Sequence, residues 1–104
     1  MHIVTNRVFV HPDWQQEFES RFKKRAGQIE SQNGFKQMQI LKPVSDDSPY
    51  VVYTEWENEQ AFRQWIGSED FKLAHQNPMP EEAFTQKGQL EQHISIIRAS
   101  ANSK

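Results

Sequence analysis

Asn6, Trp65 and His75 are the side chains whose type and position invite chemistry. Asn6 falls between Val4 and Val8 on one face of a β-branched, alternating run. Asparagine is depleted in strands, so its amide either bonds to neighbouring backbone or points into a cavity as a donor and acceptor for a ligand. His75 follows Phe71 by four residues in the expected last turn of a short helix, where the negative end of the helix dipole favours imidazole basicity. A neutral imidazole in such a place can coordinate iron through one nitrogen while the other donates to a backbone carbonyl. Trp65 offers a large apolar ring as a pocket wall. Taken singly, each has a plainer reading: a satisfied amide, a helix cap, a core ring. On one unbroken helix Trp65 and His75 would lie about 80° apart and ~15 Å along the axis. The Gly67-Ser68 break between them lets the second segment turn, so that both rings can flank one pocket.

Other chemistries find little support. The absence of cysteine removes disulfides, thiolate metal sites and thiol nucleophiles. There is no glycine-rich phosphate loop, paired-histidine zinc spacing or serine elbow. His2, His11 and His93 read as structural, and Glu55, Glu57 and Glu59 as a solvated acidic cluster at a strand end. At 104 residues, 25% of them charged, with a net charge of -2, the chain is expected to hold one domain over residues 1–104 and no nucleic acid. The run Arg21, Lys23, Lys24, Arg25 reads as a solvated helix face. The N-terminus lacks a signal-peptide pattern and no stretch is long enough for membrane insertion, so a cytoplasmic protein is expected. Aromatics are 12% of the residues although the mean hydropathy is -0.87, a pairing that suits an aromatic core or a flat apolar pocket.

The elements that position these residues follow from periodicity. Residues 2–10 alternate as a first strand, with Val4, Asn6, Val8 and Val10 opposite Ile3, Thr5, Arg7 and Phe9. Pro12-Asp13 opens a helix carrying Trp14, Phe18, Phe22 and Ile29 at helical spacing, and Asn33-Gly34 ends that unit. Two more strands are expected over 35–41 and 50–56; Phe35, Gln37, Gln39 and Leu41 oppose Lys36, Met38 and Ile40. A helix capped by Asn58 carries Ala61, Phe62 and Trp65, and a second starts at Ser68 with Glu69 and Asp70 against the positive end of its dipole. Residues 77–89 read as a loop with at most one short turn, 90–99 as the last strand, and 100–104 as a frayed tail. The order β-α-β-β-α-β is the split βαβ, ferredoxin-like α+β arrangement: a four-stranded antiparallel sheet with helices on one face. The other face is too apolar for water along every strand, so a second copy packing there is expected, closing a dimeric α+β barrel.

The string Trp65-Ile66-Gly67-Ser68-Glu69-Asp70-Phe71-Lys72-Leu73-Ala74-His75, with Asn6-Arg7 and Arg21-Phe22, resembles the IsdG-type haem-degrading monooxygenases of the antibiotic biosynthesis monooxygenase superfamily. The likeness in element order spans nearly the whole chain. The resemblance implies that Asn6, Trp65 and His75 form a functional triad. His75 would be the axial ligand of haem iron, leaving the opposite side open for dioxygen. Asn6 would hydrogen-bond near the iron and steer attack onto the ring, and Trp65 would press on the macrocycle and ruffle it. Phe22 and Phe71 would wall the porphyrin. Haem serves such enzymes as cofactor and substrate together, with electrons from an external donor reductase and release of iron. Arg25, Lys72 and Lys87 are candidates for the propionates.

Two other readings stay open. In a cofactor-independent monooxygenase of the same fold, Asn6 and Trp65 would stabilise the oxyanion of a polycyclic phenol or quinol, with no role for an iron ligand. A non-catalytic dimer would bind haem and leave the ring intact.

Overall fold

A computed structural model describes residues 1–25 and 28–102. Strands β1 (His2–Val8), β2 (Phe35–Leu41), β3 (Tyr50–Trp56) and β4 (Gln89–Ile94) form one sheet in the order β2-β3-β1-β4, with every neighbouring pair antiparallel. Helices α1 (Gln15–Lys24), α2 (Glu59–Ile66) and α3 (Glu69–Ala74) complete the ferredoxin-like α+β fold expected from the residue pattern. No helix among the described residues is long and apolar enough to cross a membrane.

Side-chain alternation divides the sheet. Val4, Asn6 and Val8 of β1 share the helix-covered face with Tyr50, Val52, Thr54 and Trp56 of β3, because residues opposite each other in register point the same way. Val4, Ile29, Trp56, Ala61, Phe62 and Trp65 form one buried cluster beneath α2, and Val10, Phe18 and Tyr50 a second beneath α1. Trp56 and Tyr50 are essentially inaccessible. Burying such rings contributes about 2–3 kcal/mol each, which is how a chain with few aliphatic residues makes a core.

Local signals set most element ends. The Asn58 side chain accepts from the Ala61 N–H, and Ser68 Oγ from the Phe71 N–H, so both expected N-caps are present. Gly34 has φ +79°, and a Cβ there would lie 2.6 Å from that of Ala61, so the turn into β2 needs glycine on both counts.

Several expectations are corrected. Pro12–Trp14 is a 3₁₀ turn ahead of α1, and Ile29 lies in a separate 3₁₀ turn, Ile29–Ser31. A register shift between Phe35 and Gln37 turns Phe35 to the side of Met38 and Ile40, where it packs edge-on against Trp56 at 5.4 Å. Such a bulge breaks the strict two-residue period on which the assignment of Phe35 to the other face rested. β1 ends at Val8; Val10 makes an isolated bridge to Phe84. The loop over 77–89 is therefore pinned, with the His11 N–H donating to the Ala83 carbonyl at 2.7 Å and a short 3₁₀ turn at Glu81–Ala83. β4 stops at Ile94, leaving Ile96 and Ile97 exposed and outside the sheet. Of the expected frayed tail, 100–102 is exposed coil and 103–104 lies outside the described residues.

Candidate active site

Between the sheet and the helices lies a cleft of about 220 Å³, walled by Val4, Met38, Val52, Phe62 and Ile66, with Asn6, Trp65 and His75 all on its lining. Phe22 and Phe71 also face it. Three separate elements deliver the triad. Asn6 comes from the middle of β1, Trp65 from the last turn of α2, and His75 from the residue that caps α3 rather than from its last turn. The α2–α3 break at Gly67-Ser68 makes this convergence possible, since the Ser68 N–H closes α2 on the Trp65 carbonyl while the Ser68 hydroxyl opens α3.

The His75 ring is fixed twice over. Its Nδ1 lies 2.8 Å from the Phe71 carbonyl oxygen, and a carbonyl can only accept, so Nδ1 carries the proton. In the neutral ring Nε2 is then left with a free lone pair. The ring also stacks on Phe71, with centroids 4.1 Å apart and planes 28° from parallel. This is the arrangement that presents an imidazole to a metal: one nitrogen anchored to the backbone, the other free on an exposed side chain.

Trp65 is only 7% exposed and stands in a row of rings. It stacks on Trp56 at 6.5 Å and meets Phe71 edge-on at 5.4 Å. Trp56 is held in turn by an Nε1–H hydrogen bond to Thr54 Oγ1 at 2.9 Å. His75, Phe71, Trp65, Trp56 and Thr54 thus run as a chain of contacts from the cleft rim to the sheet. Asn6 is half-buried opposite Val52 and Leu90, and no hydrogen bond ties its amide to another described residue. Gly88 passes beside it; a Cβ there would lie 3.0 Å from the Arg7 carbonyl and 3.7 Å from Asn6 Oδ1, so glycine lets that backbone come close.

The cation candidates separate clearly. Arg25 lies on the cleft wall with its guanidinium 5.1 Å from the Phe22 ring centroid. Among the described residues no carboxylate lies within ion-pair distance of it, and desolvation, aided by the positive charge of Arg21, lowers its pKa from the usual arginine value. Lys72 is exposed and paired with Glu69 at 3.6 Å, and Lys87 is not on the cleft lining. The solvated face expected for the basic run is accordingly corrected at two places. Arg21 bonds Glu17 and the Asn77 carbonyl, and Arg25 turns inward. Only Lys23 and Lys24 remain exposed.

The structural reading of His2 agrees with its burial and its 2.8 Å contact to Gln92. The expectation for Glu55 is overturned. It is 2% exposed, ion-paired with Arg98 and hydrogen-bonded by Gln37 and Tyr53 on the far side of the sheet. Met38, Thr54, Ile66 and Leu90 were not singled out from the sequence; nothing in an ordinary apolar or threonine position marks it as facing a cleft rather than a core.

The family model for antibiotic biosynthesis monooxygenases matches residues 1–77. A heme oxygenase (staphylobilin-producing) of Staphylococcus haemolyticus is 38% identical over 79 residues, covering 74% of this chain and 75% of that protein. A heme oxygenase (mycobilin-producing) of Mycobacterium tuberculosis is 43% identical over 49 residues, 47% of each chain. The structure of the heme-degrader MhuD from Mycobacterium tuberculosis, with two hemes bound in its active site, superposes with a TM-score of 0.79 and 27% identity over 96% of this chain and all of that one. The fold and the aromatic cleft define an antibiotic biosynthesis monooxygenase, and the chain belongs to that family. Within it, the IsdG-type resemblance carried by the Asn6, Trp65 and His75 motifs agrees with the relatives found.

Proposed function

We propose that this chain is a haem-degrading monooxygenase that binds haem in the cleft through His75 and opens the ring with dioxygen and electrons from an external donor. The observation that carries the reading is the free Nε2 of His75, its partner nitrogen committed to the Phe71 carbonyl, at the rim of an apolar cleft. A single imidazole suits an iron already held by a macrocycle. The aromatic wall matches a flat apolar ligand, and Arg25, with no carboxylate partner among the described residues, matches its propionates. The similar staphylobilin- and mycobilin-producing enzymes support the same activity. Bound haem supplies the iron that activates dioxygen and the ring that is cleaved.

The remaining roles belong to the protein. His75 holds the ligand on one side, oriented by the Phe71 carbonyl. Asn6 offers an amide with no competing partner among the described residues, which lets it donate to a polar group of the ligand. Trp65, backed by Trp56 and Phe71, resists displacement and bears on the macrocycle. The rings and aliphatic side chains keep water out. The whole chain acts as one cytoplasmic domain, paired with a second copy through the outer sheet face. A cofactor-independent reaction on a phenol or quinol would leave His75 Nε2 without a task.

Haem titration followed by reductant under air tests the reading. A Soret band should appear on binding and decay as a bilin-like spectrum grows. Asn6→Ala should keep the Soret band and lose turnover. Absence of any haem binding at micromolar protein would remove the proposal, and a stable Soret band under reductant and oxygen would reduce it to haem binding alone.

A further inference from the structure

Phe22 lines two cavities at once. The first is the cleft just described; the second, about 260 Å³, is lined by Glu19, Lys23, Ile40, Lys42 and Tyr50 as well as Phe22. They are neighbours on one sheet face. Along β2, Met38 faces the first cavity and Ile40, two residues on, the second; along β3, Val52 faces the first and Tyr50 the second. Phe22, projecting from α1, forms the partition.

The first cavity alone is smaller than the ~300–1,000 Å³ of sites that enclose a small organic ligand, and moving the Phe22 ring out of its wall into the second cavity adds to it the space the ring occupies. The Phe22 ring is only half-buried and makes an edge contact with Phe18 at 5.0 Å. Its second face carries the Arg25 guanidinium. Rotation about χ1 of such a side chain is fast compared with ligand association.

We infer that Phe22 is a size gate, and therefore a specificity-determining residue of the cleft. With the ring between the cavities the cleft accepts only a mono- or bicyclic ligand. When the ring swings into the second cavity, against Ile40, Tyr50 and the aliphatic stems of Lys23 and Lys42, the cleft takes a tetrapyrrole. The same swing releases Arg25 from the ring face and frees its guanidinium for a carboxylate. This inference rests on the haem reading and adds to it the room the ligand needs and the residue that controls it. The gate also makes apparent affinity depend on the fraction of molecules with the ring swung away.

The test fills the second cavity. Ile40→Trp leaves Phe22 nowhere to go, and hemin association followed at the Soret band should slow by about tenfold or more, with affinity falling in step. Phe22→Ala in the same background removes the partition and should bring the association rate up to that of the Phe22→Ala single variant, whatever the lost ring contacts cost in affinity. A bicyclic phenol such as 2-naphthol, small enough for the closed cleft, should bind the wild type and Ile40→Trp alike, which separates gating from misfolding. The gate is refuted if Ile40→Trp binds hemin at the wild-type rate and affinity, or if the double variant is as impaired as Ile40→Trp. It is the haem reading that fails if the wild-type protein gives no Soret band.

Discussion

The two faces of β3 treat polar groups in opposite ways. On the outer face Glu55 is almost completely buried, and its carboxylate receives hydrogen bonds from Tyr53 and Gln37 and an ion pair from Arg98. On the inner face, one residue away, the cleft gathers polar groups that have no hydrogen-bond or ion-pair partner among the described residues: the Asn6 amide, His75 Nε2 and the Arg25 guanidinium. Buried polar groups in folded proteins are ordinarily satisfied. A saturated cluster such as that at Glu55 is accordingly architecture, pinning the C-terminal segment across the sheet with the help of the Ser95 N–H on the Met1 carbonyl. A set of open valences converging on an apolar cleft is a place for a ligand. Burial alone does not separate the two, because Glu55 is far more buried than His75.

Substitutions on either face put that distinction at risk, the largest effect first. His75→Ala should weaken haem binding by about 100-fold or more, beyond what a lost supporting hydrogen bond costs at a metal site, with little change in the urea midpoint. A parallel fall in stability would mean that His75 is architecture as well. Glu55→Ala strands three donors and should lower unfolding stability by about 2–3 kcal/mol in urea denaturation while leaving haem affinity unchanged. If affinity dropped with stability, the two faces would be coupled through the sheet. Thr54→Val, nearly isosteric, removes the acceptor of the Trp56 N–H and should cost about 1–2 kcal/mol. Because Trp56 backs Trp65, this variant should also slow haem turnover more than it weakens binding, as comparison of kcat with affinity would reveal.

The smallest effect is one of pH. A hydrogen bond donated by Tyr50, and then Lys42, hold the Glu19 carboxyl below its usual range. A depressed carboxylate adds stability that is present above its unfolded pKa and is lost as pH falls through the folded value. Thermal melting between about pH 5 and 3 should show this loss in the wild type, and Glu19→Gln should show less of it. An unchanged acid profile in Glu19→Gln would mean that Glu19, unlike Glu55, contributes nothing as a charged group.

Much of this was legible from residue order, and the exceptions have physical causes. Alternation in β1, the β-prone run of β3, the Asn58 and Ser68 caps and the Gly34 turn are local signals, set by neighbours within a few residues, and each holds in the structure. The face of Phe35 departs from strict alternation because one bulge shifts a strand's period, and a bulge has no sequence mark here. β4 is shorter than its residue pattern suggests because the isoleucines after Ile94 continue the pattern of a strand but find no strand to pair with. Local sequence makes Glu55 look solvated because Arg98 lies 43 residues away, and only the return of the chain over the sheet brings the two together.

By itself, then, the sequence determined the element order, the helix starts and the three residue types worth suspecting, since periodicity, capping and β-propensity act over short stretches of chain. It also carried the family motifs that link those residues. The tertiary structure decided which polar groups would be used up and which left open. That is a matter of contacts between β1, α1, α2 and α3, and of whether a distant donor happens to arrive. Arg25 shows the difference most plainly: in the sequence it is one cation in a basic run, and in the fold it is the one of the three propionate candidates that turns into the cleft.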